Sequence, residues 1–140
     1  MFQIQPMLPH HYDEVYALWQ SMAGVELNPL DDSAQAISDF LAFNPNLNYI
    51  AIADEQIVGV IMCGFDGRRA TIYHAAVKPE FQGKGIARAL LRVLETALHS
   101  KGVTKGRLLA FKHNAGATEF WQRTGWTLQT QLNYFSKNFN

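Results

Sequence analysis

One continuous stretch constrains this chain more than any other: Arg69-Ala70-Thr71-Ile72-Tyr73-His74-Ala75-Ala76-Val77-Lys78-Pro79-Glu80-Phe81-Gln82-Gly83-Lys84-Gly85-Ile86-Ala87-Arg88-Ala89-Leu90-Leu91. It reads as a strand that stops at a proline, a glycine-rich turn, and a helix that starts near Gly85. A helix start leaves its first backbone N–H groups unpaired and presents the positive end of the macrodipole. Two glycines let that backbone approach a bulky anion. The turn is therefore built to hold phosphate. Two common phosphate motifs fail on spacing. A P-loop needs Gly-Lys followed by Ser or Thr, and here Gly83-Lys84 is followed by Gly85. A dinucleotide fingerprint counted from Gly83 ends on Arg88 where Gly or Ala is required. What remains is Gln82-x-x-Gly85-x-Ala87.

The rest of the chain supplies short alternating elements. Residues 2–7 read as a first strand. Residues 9–22 place Val15, Leu18, Trp19 and Met22 at helical spacing, with Pro9 suited to a first turn. Residues 24–32 form a loop. Ser33 caps a second helix with Ile37, Phe40 and Leu41 inward, and Asn44-Pro45-Asn46 ends it. Strands follow over 49–53 and 57–65. Asp66-Gly67 predicts a hairpin turn, since both central residues can take positive φ. Strand 70–77 leads to a helix over 85–101 that buries Ile86, Leu90, Val93, Leu94 and Ala97 and shows Arg88, Arg92, Glu95 and His99 to water. Gly102 stands just past its end. A strand over 106–111, a helix over 114–124 and a hairpin over 127–131 and 133–137 complete the chain. Antiparallel strands first and strand–helix–strand later predict an α/β fold with a mixed, mostly antiparallel central sheet flanked by helices.

Bulk properties narrow the function. At 140 residues the chain is read as a single domain over 1–140 with a real core. Twelve basic and twelve acidic residues cancel, so net charge gives no case for nucleic acid or an anionic membrane as partner. No apolar run approaches a membrane span, and the first residues lack the pattern of a signal peptide. Cys63 is the single cysteine, so no internal disulfide forms and a reducing cytoplasm is expected. His10, His11 and His113 lack metal-ligand spacing, and no metal is expected.

The Gln82-x-x-Gly85-x-Ala87 turn, with Ala76-Val77-Lys78-Pro79-Glu80-Phe81 before it, resembles the acyl-CoA pyrophosphate loop of the GNAT acetyltransferase superfamily. A second block, Asn114-Ala115-Gly116-Ala117-Thr118-Glu119-Phe120-Trp121-Gln122-Arg123-Thr124-Gly125-Trp126, resembles a later motif of the same superfamily, and the two stand in the right order. The resemblance runs from about Tyr49 to Lys137. The Asp66-Gly67-Arg68-Arg69 turn and the closing Phe135-Ser136-Lys137 look like those of a small bacterial subgroup.

The resemblance implies transfer of the acetyl group of acetyl-CoA, as co-substrate, to a primary amine by direct attack in a ternary complex. The backbone of Gly83, Gly85, Ala87 and Arg88 would take the pyrophosphate, beside Ile86, with Gln82 bracing the turn and Lys84 adding charge. Ala75, Ala76 and Val77 would pair with the pantetheine arm where the sheet splays, and the Val77 N–H would face the thioester oxygen. Asn114 would contact the arm or hold the next strand end. Phe120 and Trp121 would wall the cofactor. The amine must lose its proton to attack, since a lysine-type amine has a pKa of about 10.4. Strand alternation puts Thr71, Tyr73 and Ala75 on one face and Ile72 and His74 on the other. Relatives often carry Glu or His at the positions of Thr71 and Tyr73, and this chain carries neither. A water chain through Tyr73, a base from the 24–32 loop with Glu26 first and Asp31 behind it, or His74 turned inward by a bulge are the candidates. Trp121 stands where many relatives have Tyr as general acid, leaving Tyr134 or water to protonate the thiolate. The acceptor is a small molecule, a peptide N-terminus or a lysine side chain, and the last hairpin offers an edge through which a homodimer could pair. A non-catalytic acyl-CoA binding or sensing module is the alternative reading.

Overall fold

The computed structural model describes residues 1–139. They form two compact units, with the boundary between Leu109 and Ala110. The first unit holds β1 (Gln3–Pro6), a 3-10 turn at Pro9–His11, α1 (Tyr12–Gln20), α2 (Ala34–Phe43), β2 (Asn48–Ala53), β3 (Gln56–Phe65), β4 (Ala70–Val77), a second 3-10 turn at Pro79–Phe81, α3 (Ile86–Ser100) and β5 (Gly106–Leu108). The second unit holds α4 (Ala115–Arg123).

The five strands lie in the order β1-β2-β3-β4-β5. The first four pair antiparallel and β5 joins β4 in parallel, the mixed, mostly antiparallel sheet that the pattern predicts. Side chains alternate across it. β3 sends Val60 and Met62 into a core built with Val15, Leu18 and Trp19 of α1 and Ile37 and Leu41 of α2. On the other face Gly59 lies under α3, where a Cβ would come within 3.2 Å of Ile86 and Leu90. The missing side chain lets α3 lie close on β3.

The alternation breaks once in β4, and the break decides the site. Ile61 pairs with Ala75 and Cys63 with Ile72, so Tyr73 and His74 together oppose the single residue Met62. This is a β-bulge with the extra residue in β4. The expectation that His74 shares a face with Ile72 is therefore corrected. Tyr73 packs edge-on against Phe40 of α2, and His74 packs against Trp19 of α1. Both side chains stand on the α1/α2 face, and Ala75 rather than His74 takes the opposite side.

Other boundaries moved for local reasons. The helix expected over 9–22 begins with a separate 3-10 turn, where the Leu8 N–H donates to His11 Nδ1 at 2.9 Å. The turn after β3 is closed by Asp66 N–H on the Arg69 carbonyl, and Asp66 Oδ1 accepts from Arg68 and Arg69. Its central residues are thus Gly67 and Arg68, and only Gly67 has positive φ. In α3, Leu91 and Leu98 are buried while Val93 and Ala97 are only partly so. Ser33 caps α2 by accepting from the Ala36 N–H, and Gly102, at φ 81°, follows α3, both as expected.

Two buried asparagines do the work of a missing strand. β2 stops pairing at Asn48↔Met62, which leaves the next N–H groups of β3 facing nothing in the ladder. Asn48 Oδ1 accepts from the Cys63 N–H and Asn44 Oδ1 from the Phe65 N–H. Asn48 Nδ2 donates to the Asn44 carbonyl. Buried backbone donors must be paired, and here the C-cap residue of α2 and the first residue of β2 pair them.

In the second unit Asn114 Oδ1 accepts from the Ala117 N–H and caps α4. The Trp121 ring meets Phe120 at 5.1 Å and Trp126 at 5.5 Å, both edge-on. The strand expected over 106–111 ends at Leu108, and residues 127–139 contain no strand. The closing hairpin is a correction: residues 127–139 are exposed throughout and bury no face that would set a strand pairing. The edge proposed for dimer pairing goes with it.

Replacing Asn48 by Ala orphans the Cys63 N–H in a buried setting. We expect a loss of about 1–3 kcal/mol in urea unfolding, and a smaller effect for a change at exposed Gln3. An Asn48→Ala protein as stable as wild type would show that β3 has another partner there.

Candidate active site

The turn before α3 has the geometry of an anion site. Gly83 and Gly85 both lie in the left-handed region, at φ 78° and 85°. Gly85 is the N-cap of the 15-residue helix α3 and provides no side-chain cap. The first intrahelical bond of α3 runs from the Ala89 N–H to the Gly85 carbonyl. The N–H groups of Gly85, Ile86, Ala87 and Arg88 consequently precede the ladder and are open to a ligand. A Cβ on Gly83 or Gly85 would meet nothing within 4 Å, so these glycines serve backbone conformation and access rather than packing. Gln82 Nε2 donates to the Val77 carbonyl at 2.9 Å and ties the turn to the end of β4. Lys84 lies over the Phe81 ring at 5.5 Å.

The edge of β4 next to this turn is unpaired. β5 pairs with β4 only at Ala70, Thr71 and Ile72. Beyond Ile72 that edge has no strand partner among the described residues. The Lys78 N–H donates to the Val58 carbonyl at 2.8 Å, which makes Gly59↔Val77 a non-hydrogen-bonded pair. By alternation Val60↔Ala76 exchanges both bonds and Ile61↔Ala75 exchanges none. The N–H groups of Ala75 and Val77 therefore point to the open edge. Ala76 is different: its own N–H and C=O are turned to Val60, so it holds the strand and offers nothing outward.

His74 meets a partner that lies far away in sequence. Its Nε2 is 2.8 Å from Asp32 Oδ1. Asp32 is 7% exposed, and its Oδ2 accepts from the Asn28 N–H at 2.9 Å. The Tyr12 hydroxyl donates to the Asp32 carbonyl. Burial pushes the Asp32 carboxyl upward, but the bonds from His74 and Asn28 outweigh it and hold the group below the usual carboxylate range. The Trp19 ring lies edge-on to His74 with centroids 4.7 Å apart. Trp19 Nε1 is buried without a hydrogen-bond partner among the described residues. Tyr73, beside His74 on the same face, is 57% exposed.

The other candidates distribute unevenly. Asp32, not Glu26, is the loop carboxylate that reaches β4; Glu26 and Asp31 are exposed. Asn114 uses its Oδ1 as a helix cap. Tyr134 lies in the strandless final residues and is 68% exposed. Cys63 is buried, and burial pushes its thiol up to about 12, which makes it inert at neutral pH. No group of three His, Cys, Asp or Glu side chains fit for a metal occurs among the described residues. No helix among them is long and apolar enough to cross a membrane. The Asp32–His74 pair was missed because its members are 42 positions apart and no local motif joins them. A second missed signal is plain in the sequence. Residues 1–67 contain nine Asp and Glu and no Lys or Arg, while all 12 Lys and Arg follow. The neutral total hides this segregation.

Comparison with known proteins gives the family and the fold. The model of the Acetyltransferase (GNAT) family matches residues 12–126. An acetyltransferase of Sodalis glossinidius (strain morsitans) is 31% identical over 121 residues, spanning 86% of this chain and 84% of its own length. Among solved structures, the PaiA N-acetyltransferase of Thermoplasma acidophilum in complex with coenzyme A superposes with a TM-score of 0.81 at 19% identity, covering 92% of this chain and 91% of that one. AAC(6')-Iy in complex with the bisubstrate analog CoA-S-monomethyl-acetylneamine superposes at 0.78 and 17% identity, covering 99% of both. The chain belongs to the GNAT acetyltransferase family. It is an acyltransferase, an acetyl-CoA-dependent N-acetyltransferase.

The lowered Asp32 carboxyl fixes a pH dependence. A folded-state value below the unfolded value of about 3.9 contributes stability at higher pH, and that contribution is lost as pH falls through the folded value. Urea unfolding between about pH 6 and 2.5 should show wild type losing stability more steeply below about pH 4 than Asp32→Asn. Parallel curves would mean that Asp32 is not held ionised by the fold.

Proposed function

We propose that this acetyltransferase moves the acetyl group of acetyl-CoA to a primary amine by direct attack within a ternary complex. The observation that carries the reading is the open edge of β4, whose free Val77 N–H leads directly into a glycine turn with unpaired N–H groups. The backbone of Gly83, Gly85, Ile86, Ala87 and Arg88 takes the pyrophosphate, helped by the α3 dipole at about 0.3–1 kcal/mol. Lys84 adds a mobile positive charge. Gln82 keeps the turn on β4 through the Val77 carbonyl. Ala75 and Val77 pair with the pantetheine amides, and Ala76 keeps the strand straight between them.

Chemistry follows from the same groups. The neutral amine attacks the thioester carbonyl, and the oxygen that becomes negative receives the Val77 N–H, a donor of a kind worth roughly 2.7–4 kcal/mol in the transition state. His74 accepts the proton the amine loses, directly or through a water held by Tyr73. The C–S bond breaks and CoA leaves as a thiolate, which takes its proton from water.

The charge segregation supports a cationic acceptor. α1, the 24–33 loop and α2 come from the part of the chain with carboxylates and no Lys or Arg. A field of one sign attracts and orients ligands of the other. An amine that carries further positive charges, such as a polyamine, an aminosugar or a basic peptide, suits this side better than a neutral amine. Glu26 and Asp31, exposed on the loop, would attract such charges. The AAC(6')-Iy structure, solved with an acetylneamine analog, supports an amine acceptor of this kind.

Isothermal titration with acetyl-CoA, beside desulfo-CoA and ATP, is the first test. Acetyl-CoA should bind and ATP should not, and Gly85→Val should weaken binding at least about tenfold, because valine resists positive φ. The second test is turnover across spermidine, an aminosugar, a lysine peptide and a neutral amine. Cationic acceptors should be favoured, with KM rising with salt. Absence of acetyl-CoA binding would overturn the site assignment; salt-independent turnover of the neutral amine would overturn the cationic acceptor.

A further inference from the structure

We infer that Asp32 is the positioning residue for His74, holding the imidazole with Nε2 protonated so that Nδ1 is its basic atom. The inference rests on the reading that His74 takes the proton of the acceptor amine, and it goes beyond it by naming the atom and the group that selects it. An ionised carboxylate can only accept hydrogen bonds, so at 2.8 Å the hydrogen must lie on His74 Nε2. A neutral imidazole carries one ring hydrogen, which leaves Nδ1 with the free electron pair.

The carboxylate is itself held. Oδ1 takes the His74 bond, Oδ2 takes the Asn28 N–H, and the Asp32 carbonyl takes the Tyr12 hydroxyl. Ser33, the next residue, is anchored as the N-cap of α2. Trp19 bounds the ring of His74 edge-on. Rotation of the imidazole would break a charge-assisted bond and collide with a fully buried indole. The neighbouring titratable side chains are Tyr12 from α1, Asp32 from the loop before α2, and Tyr73 beside His74 on β4, and of these Asp32 alone is a carboxylate. When the amine's N–H bond breaks, its electron pair stays with nitrogen and the proton forms an N–H bond at Nδ1. The resulting imidazolium is stabilised by Asp32, which remains ionised. The same bond ties the 24–33 loop to the bulge of β4, so one contact sets both the base and the wall of the acceptor side.

Long-range 1H–15N spectra of the histidine rings test this without any acceptor. The His74 signals are assigned by their loss in His74→Gln, which separates them from the other four histidines. Wild type should show the Nε2–H form of neutral His74. Asp32→Ala should convert it to a mixture with the Nδ1–H form. Asp32→Asn, closer in shape, guards against loss of fold, and thermal unfolding of each variant reports it. With an amine that turns over, Asp32→Asn should lower kcat at least about tenfold with KM for acetyl-CoA unchanged. An Nδ1–H form in wild type overturns the inference. So does an unchanged ring form in folded Asp32→Ala, or an unchanged kcat in folded Asp32→Asn. If His74→Gln turns over like wild type, His74 as base fails and this inference with it, while acetyl transfer stands.

Discussion

Tyr73 and His74 of β4 stand opposite a single residue of β3, Met62, and the geometry of the working face depends on that mismatch. Without it His74 would share a face with Ile72, under α3, away from Asp32. With it, two consecutive side chains emerge on the α1/α2 side. A bulge also sharpens local twist, and β5 keeps step with β4 only as far as Ile72, immediately before it. The bulge thus brings together a titratable side chain on the α1/α2 face and a strand edge left open.

The open edge and the glycine turn form one device. Pairing with β3 alternates, so Ala75 and Val77 turn their N–H groups outward and Ala76 turns inward. The chain then passes through Pro79–Phe81 and two left-handed glycines into α3. Gln82 ties the turn to the last carbonyl of the strand. Backbone donors along strand, turn and helix start therefore run in sequence along one side, and their positions are set by the sheet register and the helix rather than by flexible side chains.

Some of the site could be read directly from sequence, because its information is local. The Pro79, Gly83 and Gly85 spacing predicts strand, turn and helix start, since each residue type restricts its own backbone. Ser33 and Gly102 mark helix ends for the same reason. Other parts were not legible. Thr127 to Lys137 looks like a hairpin by spacing, but its side chains are exposed throughout and bury no face that would hold one. Asn44 and Asn48 look like loop residues, yet they pair the backbone of β3 because the β2 ladder stops short. Glu26 and Asp32 are equivalent as loop carboxylates in sequence, and burial beside the Asn28 N–H separates them.

The sequence by itself determined the order of elements, the anion-ready turn and the split between an acidic first half and a basic second half. Those properties reside in single residues or in short runs, where steric limits and charge act without reference to the rest of the chain. Only the tertiary structure decided which face His74 occupies, which carboxylate meets it and which N–H groups of β4 are free. Each of these depends on strand register, and register is set by how β3 and β4 bury their side chains against α1, α2 and α3 at once.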